Sequence, residues 1–159
     1  MSIVVREAVA ADAALIAELT RAAWAGKVTI TSSGHRETDV RVQEHLQDGG
    51  AFILMKDERP IGSVRWLPVE SAPQVWEILR MGVLRQHRGE GLSQHLLEAV
   101  IHRALGAGVE ELRLAVRADQ ERLLDLYAAF GFDRAPELEY SHANPLEPAP
   151  IVMRRMLGH

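Results

Sequence analysis

The sequence predicts one α/β domain, and three observations predict it. Apolar runs of strand length alternate with stretches whose apolar residues recur at helical spacing. One run, Val75 to Val83, passes through a turn with two glycines directly into an amphipathic helix. The 159 residues suit a single domain, 1–159, and suffice to bury a full core. Ser2 to Arg6 reads as a strand. Asp12 is an N-cap for a helix carrying Leu15, Ile16, Leu19, Ala22 and Ala23. Trp24 to Arg36, rich in Thr, Ser and Gly, has no period. Glu37 to Gln47 reads as a second helix on Val40, Val42 and Leu46, and Asp48-Gly49-Gly50 ends it. Ala51 to Lys56 and Ile61 to Leu67 flank Asp57-Glu58-Arg59-Pro60, a hairpin signal. After the strand Val75–Val83, a helix carries Leu92, Leu96, Leu97, Val100, Ile101 and Leu105 on one stripe, closed by Gly106 and Gly108. Glu111 to Arg117 alternates as a strand, Gln120 to Phe132 holds a short helix, and Ile151 to Met156 is a last strand behind Pro145, Pro148 and Pro150. The order is βααβββαβαββ.

Composition narrows the function. Apolar content of 47% and charged content of 25% are those of an ordinary globular protein. A formal net charge of -4, no basic block and 5% aromatics argue against a nucleic-acid platform. There is no cysteine, which excludes disulfides, a thiolate zinc site and an acyl-cysteine intermediate. Neither a signal-peptide layout nor an apolar run of spanning length (roughly 18 residues) is visible, so no membrane and a cytoplasmic location are expected. Histidines 95 and 102 lie seven apart on one helix and read as a solvated face, Glu44-His45 lacks a zinc-protease context, and no Gly-x-Ser-x-Gly elbow occurs. No metal site is expected.

The chemistry concentrates in Gln86-His87-Arg88-Gly89-Glu90-Gly91, where a strand ends and a helix begins. Backbone N–H groups converge there at the positive end of a helix dipole, a site for a diphosphate. Glycine lets phosphate approach the backbone and frees the dihedrals of the turn. A phosphate loop of the Walker type needs Lys then Ser or Thr after the last glycine, but Leu92-Ser93 follows. A dinucleotide loop needs a third glycine where Gln94 stands. The pattern Gln/Arg-x-x-Gly-x-Gly/Ala fits at every fixed position. In this the loop resembles the coenzyme A loop of the Gcn5-related N-acetyltransferase (GNAT) family. The stretch Leu126-Tyr127 followed by Gly131-Phe132 resembles the family's second signature, and the likeness covers roughly residues 75 to 132.

The resemblance implies the GNAT acyl-CoA N-acyltransferase fold, a mixed central sheet with helices on both faces. The strands Val75–Val83 and Glu111–Arg117 would lie parallel and splay apart to admit acetyl-CoA. Met81, Val83, Arg85, Gln86, His87, Arg88, Gly89, Glu90, Gly91, Gln120 and Tyr127 would bind it. The backbone amides of residues 86–91 would anchor the phosphates, Arg85 and Arg88 adding charge and Glu90 turning to solvent. His87 reads as a solvent-facing loop residue. The family usually carries Asn where Gln120 stands, and Gln can supply the same hydrogen bond.

Acetyl transfer to a primary amine needs a base for an ammonium whose pKa is near 10 and a donor for a thiolate whose parent pKa is near 8.5. Glu77, six residues before Val83 and set among Trp76, Ile78, Leu79 and Met81, is the expected base, with a structural ion pair to Arg80 as the alternative. Tyr127 is the expected donor to sulfur. Without cysteine, direct attack in a ternary complex is expected. The acceptor, a small amine, an amino acid or a peptide N-terminus, would meet Trp24 to Arg36 and Ser141 to Pro150, with Trp24, Thr31, Ser33, His35 and His142 as contacts. A non-catalytic acyl-CoA-binding module and a nucleotide-binding α/β domain are the competing readings. The final strand offers an edge for a homodimer.

Overall fold

The computed structural model describes residues 2–25, 36–141, 144–146 and 148–158. The elements run β1 (Ile3–Glu7), α1 (Ala13–Trp24), α2 (Asp39–Asp48), β2 (Gly50–Lys56), β3 (Arg59–Val69), β4 (Ala72–Val83), α3 (Ser93–Gly106), β5 (Glu111–Val116), α4 (Leu123–Ala129), β6 (Asp133–Arg134) and β7 (Ile151–Met156). The strands form one sheet of order β1-β2-β3-β4-β5-β7-β6. Every neighbouring pair is antiparallel except β4 and β5.

Alternation along β2 sets the two layers. Phe52 and Leu54 join a core cluster with Leu96, Leu97, Val100 and Ile101 of α3. Their neighbours Ala51 and Ile53 pack with Ala13, Ile16, Ala17 and Leu19 of α1 and Val42 of α2. A strand whose successive side chains face opposite ways thus buries both faces, with helices on each. Trp66 stacks on Trp76 at 5.3 Å within the α3 layer.

Some element boundaries differ from expectation for local reasons. α2 starts at Asp39, because Thr38 caps it by accepting the Arg41 N–H at 3.2 Å. Glu37, expected inside that helix, lies before it and is buried. Asp12 precedes α1 but offers its carboxylate to Arg6 and the Val9 N–H rather than to the helix. The β2–β3 hairpin turns on Asp57 and Glu58 at φ of 50° and 67°, the left-handed pair a tight two-residue turn requires. β7 pairs with β5 along its whole length, and its other edge meets β6 at Arg154 and Met153.

Candidate active site

The site begins where the sheet opens. β4 and β5 pair only at Val75–Glu111, Trp76–Leu112 and Glu77–Arg113, then separate. On its other side β4 carries a bulge: Ser63 pairs with Gly82 and Arg65 with Leu79, so Val64 faces two residues, Arg80 and Met81. Arg80 sits at φ 55°, a conformation costing about 1–2 kcal/mol for a residue with a Cβ. The extra residue increases local twist and turns β4 away from β5. Tyr140 covers part of the exposed edge, its hydroxyl donating to the Ile78 carbonyl at 2.7 Å. Burial, and then the charge of Glu77, push that phenol far up.

Two cavities meet in the opening. The smaller, about 120 Å³, lies against Gly82, His87, Gly89, Gly91 and Ser93. The larger, about 750 Å³, runs from Leu114–Arg117 and Gln120 across to Trp24, Glu37, Arg41 and Arg80. Met81, Leu123 and Tyr127 belong to both walls. Ser141, Asn144, Pro145, Leu146, Pro148 and Pro150 close the larger one, as expected of that segment. Of the expected acceptor contacts, Trp24 lines this wall and packs on Gly82, where a Cβ would stand 2.7 Å from its ring. Thr31, Ser33, His35 and His142 lie outside the described residues.

The phosphate-type loop is narrower than the sequence suggested. The amides of His87 and Arg88 donate to the carbonyls of Leu84 and Arg85 in a tight turn. The amides of Gly89, Glu90, Gly91 and Leu92 meet no backbone carbonyl among the described residues. Gly89 and Gly91 sit at φ of 85° and 70°, and a Cβ on Gly89 would meet nothing within 4 Å. Open space in front of unpaired amides at the start of α3 fits a diphosphate.

The loop side chains have assigned work. Arg88 lines the smaller cavity and donates to the carbonyls of Val83 and Ala23, so it also bolts the loop to α1. Burial, followed by the nearby charge of Arg85, lowers its pKa. Glu90 points away from the loop amides and is held by Lys56 at 2.7 Å, a hydrogen bond that lowers its pKa. His87 is half-buried against the smaller cavity, with Nδ1 3.8 Å from Glu90, rather than facing solvent.

Glu77 is fully buried, and its Oε2 accepts the Ser141 N–H at 3.0 Å. It stands behind Ser141 rather than on the cavity wall. Arg80 directs its Nε to Glu37 at 3.0 Å, not to Glu77 as the ion-pair alternative had it. Tyr127 packs edge-on against Phe132, and burial raises its phenol to about 12. Gln120 is buried on the larger wall beside Arg117, which is paired with Asp119.

One cluster was invisible in the sequence. Arg65 of β3 is fully buried and donates to Glu37 at 2.7 Å and to the Thr20 hydroxyl at 3.2 Å, and pairs with His45 Nδ1 at 3.1 Å. A guanidinium only donates, so His45 accepts with Nδ1 and carries its proton on Nε2. Burial pushes the Glu37 carboxyl up, but the hydrogen bond and charge of Arg65, joined by Arg80, outweigh it and the net shift is down. Glu37 Oε1 is buried with no hydrogen-bond partner among the described residues. The sequence signal was slight: an Arg at an inward position of an otherwise apolar strand.

No group of three or more His, Asp or Glu among the described residues is arranged to hold a metal ion. No helix among them is long and apolar enough to cross a membrane.

A sheet parted between two parallel strands, with an amide-lined glycine turn on one side of the opening, defines the acyl-CoA N-acyltransferase fold. The chain belongs to the acetyltransferase (GNAT) family, whose pattern it matches over residues 16–132. A mycothiol acetyltransferase of Kytococcus sedentarius is 33% identical over 98 residues, covering 60% of this chain and 33% of that protein. N-acetyltransferase 8 of Rattus norvegicus is 27% identical over 100 residues, covering 60% and 45%. The chain thus spans a third to a half of the length of these curated relatives. Among solved structures, the PaiA N-acetyltransferase of Thermoplasma acidophilum, in complex with coenzyme A, superposes with a TM-score of 0.77 over 99% of this chain and all of that one, at 18% identity. The ribosomal-protein-S18-alanine N-acetyltransferase of Escherichia coli gives 0.76 over 99% and 96%, at 16% identity. At such identities the structural likeness concerns the fold alone.

Proposed function

We propose that this chain is an acetyl-CoA-dependent N-acetyltransferase that moves an acetyl group directly to a primary amine in a ternary complex. The observation that carries the reading is the meeting of two cavities at Tyr127, one fronted by unpaired loop amides and the other large enough for an acceptor. Bound acetyl-CoA would supply an activated acetyl thioester. The amides of Gly89 to Leu92 would hold its diphosphate, and Met81, Val83 and Gln120 would border its arm. Arg85 and Gln86 remain loop candidates for the same ligand.

Transfer forms a C–N bond and breaks a C–S bond. An ammonium acceptor sheds two protons, one to become nucleophilic and one after attack, while the departing thiolate takes one up, so nitrogen needs a base and sulfur needs stabilising. Tyr127 is protonated at neutral pH as any ordinary phenol is, and burial raises its pKa further. That pKa stands well above the 8.5 of a thiol, so full proton transfer runs uphill and its service is a hydrogen bond to the departing sulfur. Glu37 is the one carboxylate on the described wall of the larger cavity, and its two arginines make it a weak base. We assign the base to Glu77, buried behind Ser141, which the amine proton would reach by relay through water. We take the cytoplasm as the compartment where this occurs.

Thermal unfolding with acetyl-CoA, beside ATP and NAD, tests the donor. A ligand at about 100 times its Kd adds about 2.7 kcal/mol, a rise of several degrees in a domain this size. Release of free thiol on adding amines then tests transfer. A shift with acetyl-CoA and no thiol from any amine would instead fit a non-catalytic binding module. Glu77→Gln should lower kcat/KM by at least about 10²-fold and flatten its acidic limb. A lower Tm with an unchanged pH profile would make Glu77 a structural residue.

A further inference from the structure

We propose, on the basis of the acetyl-transfer reading, that the acceptor carries a carboxylate beside its amine, and that Arg41 and Arg80 bind that carboxylate at the α1–α2 end of the larger cavity. The charge balance there is uneven. Among the described residues, Arg41 and Arg80 line that end of the wall with Glu37 as its one carboxylate, while Arg65 and Glu77 are buried off the wall. Both Arg65 and Arg80 use the same Glu37 oxygen, at 2.7 and 3.0 Å. One negative charge therefore serves two guanidinium groups, and Arg41 adds a third within repelling range of Arg65.

Arg80 is also aimed. The left-handed backbone at the bulge and the Nε bond to Glu37 fix its side chain on the wall, 18% exposed. A guanidinium bound through Nε keeps its terminal N–H groups, which form the fork that takes a carboxylate with two parallel bonds. Arg41, on the exposed side of α2, forms no ion pair among the described residues. The opposite wall differs, since Arg117 there is paired with Asp119.

This anion is not the diphosphate of the donor. The loop amides front the smaller cavity, which shares only Met81, Leu123 and Tyr127 with the larger one. An acceptor bearing positive charge alone would meet an excess of cations at this end. An amine that also bears a carboxylate offsets them, and leaves its nitrogen free to lie toward Tyr127.

The test compares matched acceptors: amino acids, the same amino acids as carboxamides, and aminoalkyl phosphates, each followed by thiol release from acetyl-CoA. The carboxylate members should exceed their amides in kcat/KM by at least about tenfold. Arg41→Gln should collapse that ratio, with the loss falling on KM. Equal or better use of the amides overturns the assignment while leaving acetyl transfer intact, and preference for the phosphates overturns the carboxylate. Calorimetry on the coenzyme A-loaded chain, with N-acetylamino acids against their amides, reads the same site without turnover. Tighter binding of the carboxylate forms, weakened in Arg41→Gln, supports the proposal even if no amine releases thiol. Equal binding, or none, overturns it.

Discussion

Tyr127 and Glu37 show how single groups acquire their properties from position. The Tyr127 phenol, raised to about 12, keeps its proton throughout the neutral range and so has an O–H to donate. Tyr127→Phe should therefore lower kcat by about 10²-fold, comparable to removing one oxyanion donor, and leave the Kd for acetyl-CoA nearly unchanged. Steady-state kinetics beside a binding titration separate the two effects, and unchanged turnover would remove Tyr127 from the mechanism. Glu37 is a stability residue of the opposite kind. Its folded pKa lies below the ordinary carboxylate value, so its contribution is complete above that value and is lost as pH falls through the depressed one. Glu37→Gln leaves Arg65 buried beside only Thr20 and His45, and should cost about 3–5 kcal/mol at pH 7. Chemical denaturation across pH should show the gap to wild type shrinking below the carboxylate range. A gap that stays constant to low pH would mean that packing, not charge, holds the cluster.

At the scale of elements, β4, the glycine loop and α3 act as one unit, and Gly89 is its most sensitive point. With φ at 85° and open space beyond, a Cβ there meets no protein atom within 4 Å and would take the space proposed for the ligand. Gly89→Val should weaken acetyl-CoA by well over tenfold, more than about 1.4 kcal/mol, as read by titration. Wild-type affinity in that variant would remove the loop from the site. This unit was also the most legible in the sequence, because its glycines, helical stripe and strand alternation are local signals. What escaped reading is what depends on distant partners. The sequence does not show that Arg88 is tied to the carbonyls of Ala23 and Val83. Arg65 and Glu37 are 28 positions apart and look like surface charges until the sheet and α2 bring them together. The bulge at Arg80 has no glycine to announce it, and only the register of β3 against β4 reveals it. Glu77, the expected base, is covered by Tyr140-Ser141, a segment from a loop with no period.

For the whole molecule, the sheet is continuous on one side of the opening and held by a short contact on the other. β1 to β4 form an unbroken antiparallel block, whereas β5, β7 and β6 reach it through three paired positions of β4. A dimer through the last strand would compete with β6 for Met153 and Arg154 of β7, which leaves that arrangement only the remaining length of one edge. The backbone edges of residues 78–83 and 114–116 that face the gap lack strand partners across it, so they should exchange hydrogen through small local openings. A donor lying in the gap would bridge the two blocks. Hydrogen exchange, sampled over times too short for global unfolding, should then show acetyl-CoA slowing residues 78–83, 89–93 and 114–116. Residues 3–7 and 52–55, already paired within the continuous block, should be unchanged at those times. Protection confined to 89–93 would mean that the ligand is held by its phosphates alone and does not enter the opening. Slowing on both strands would mean that the donor itself joins the two halves of the sheet.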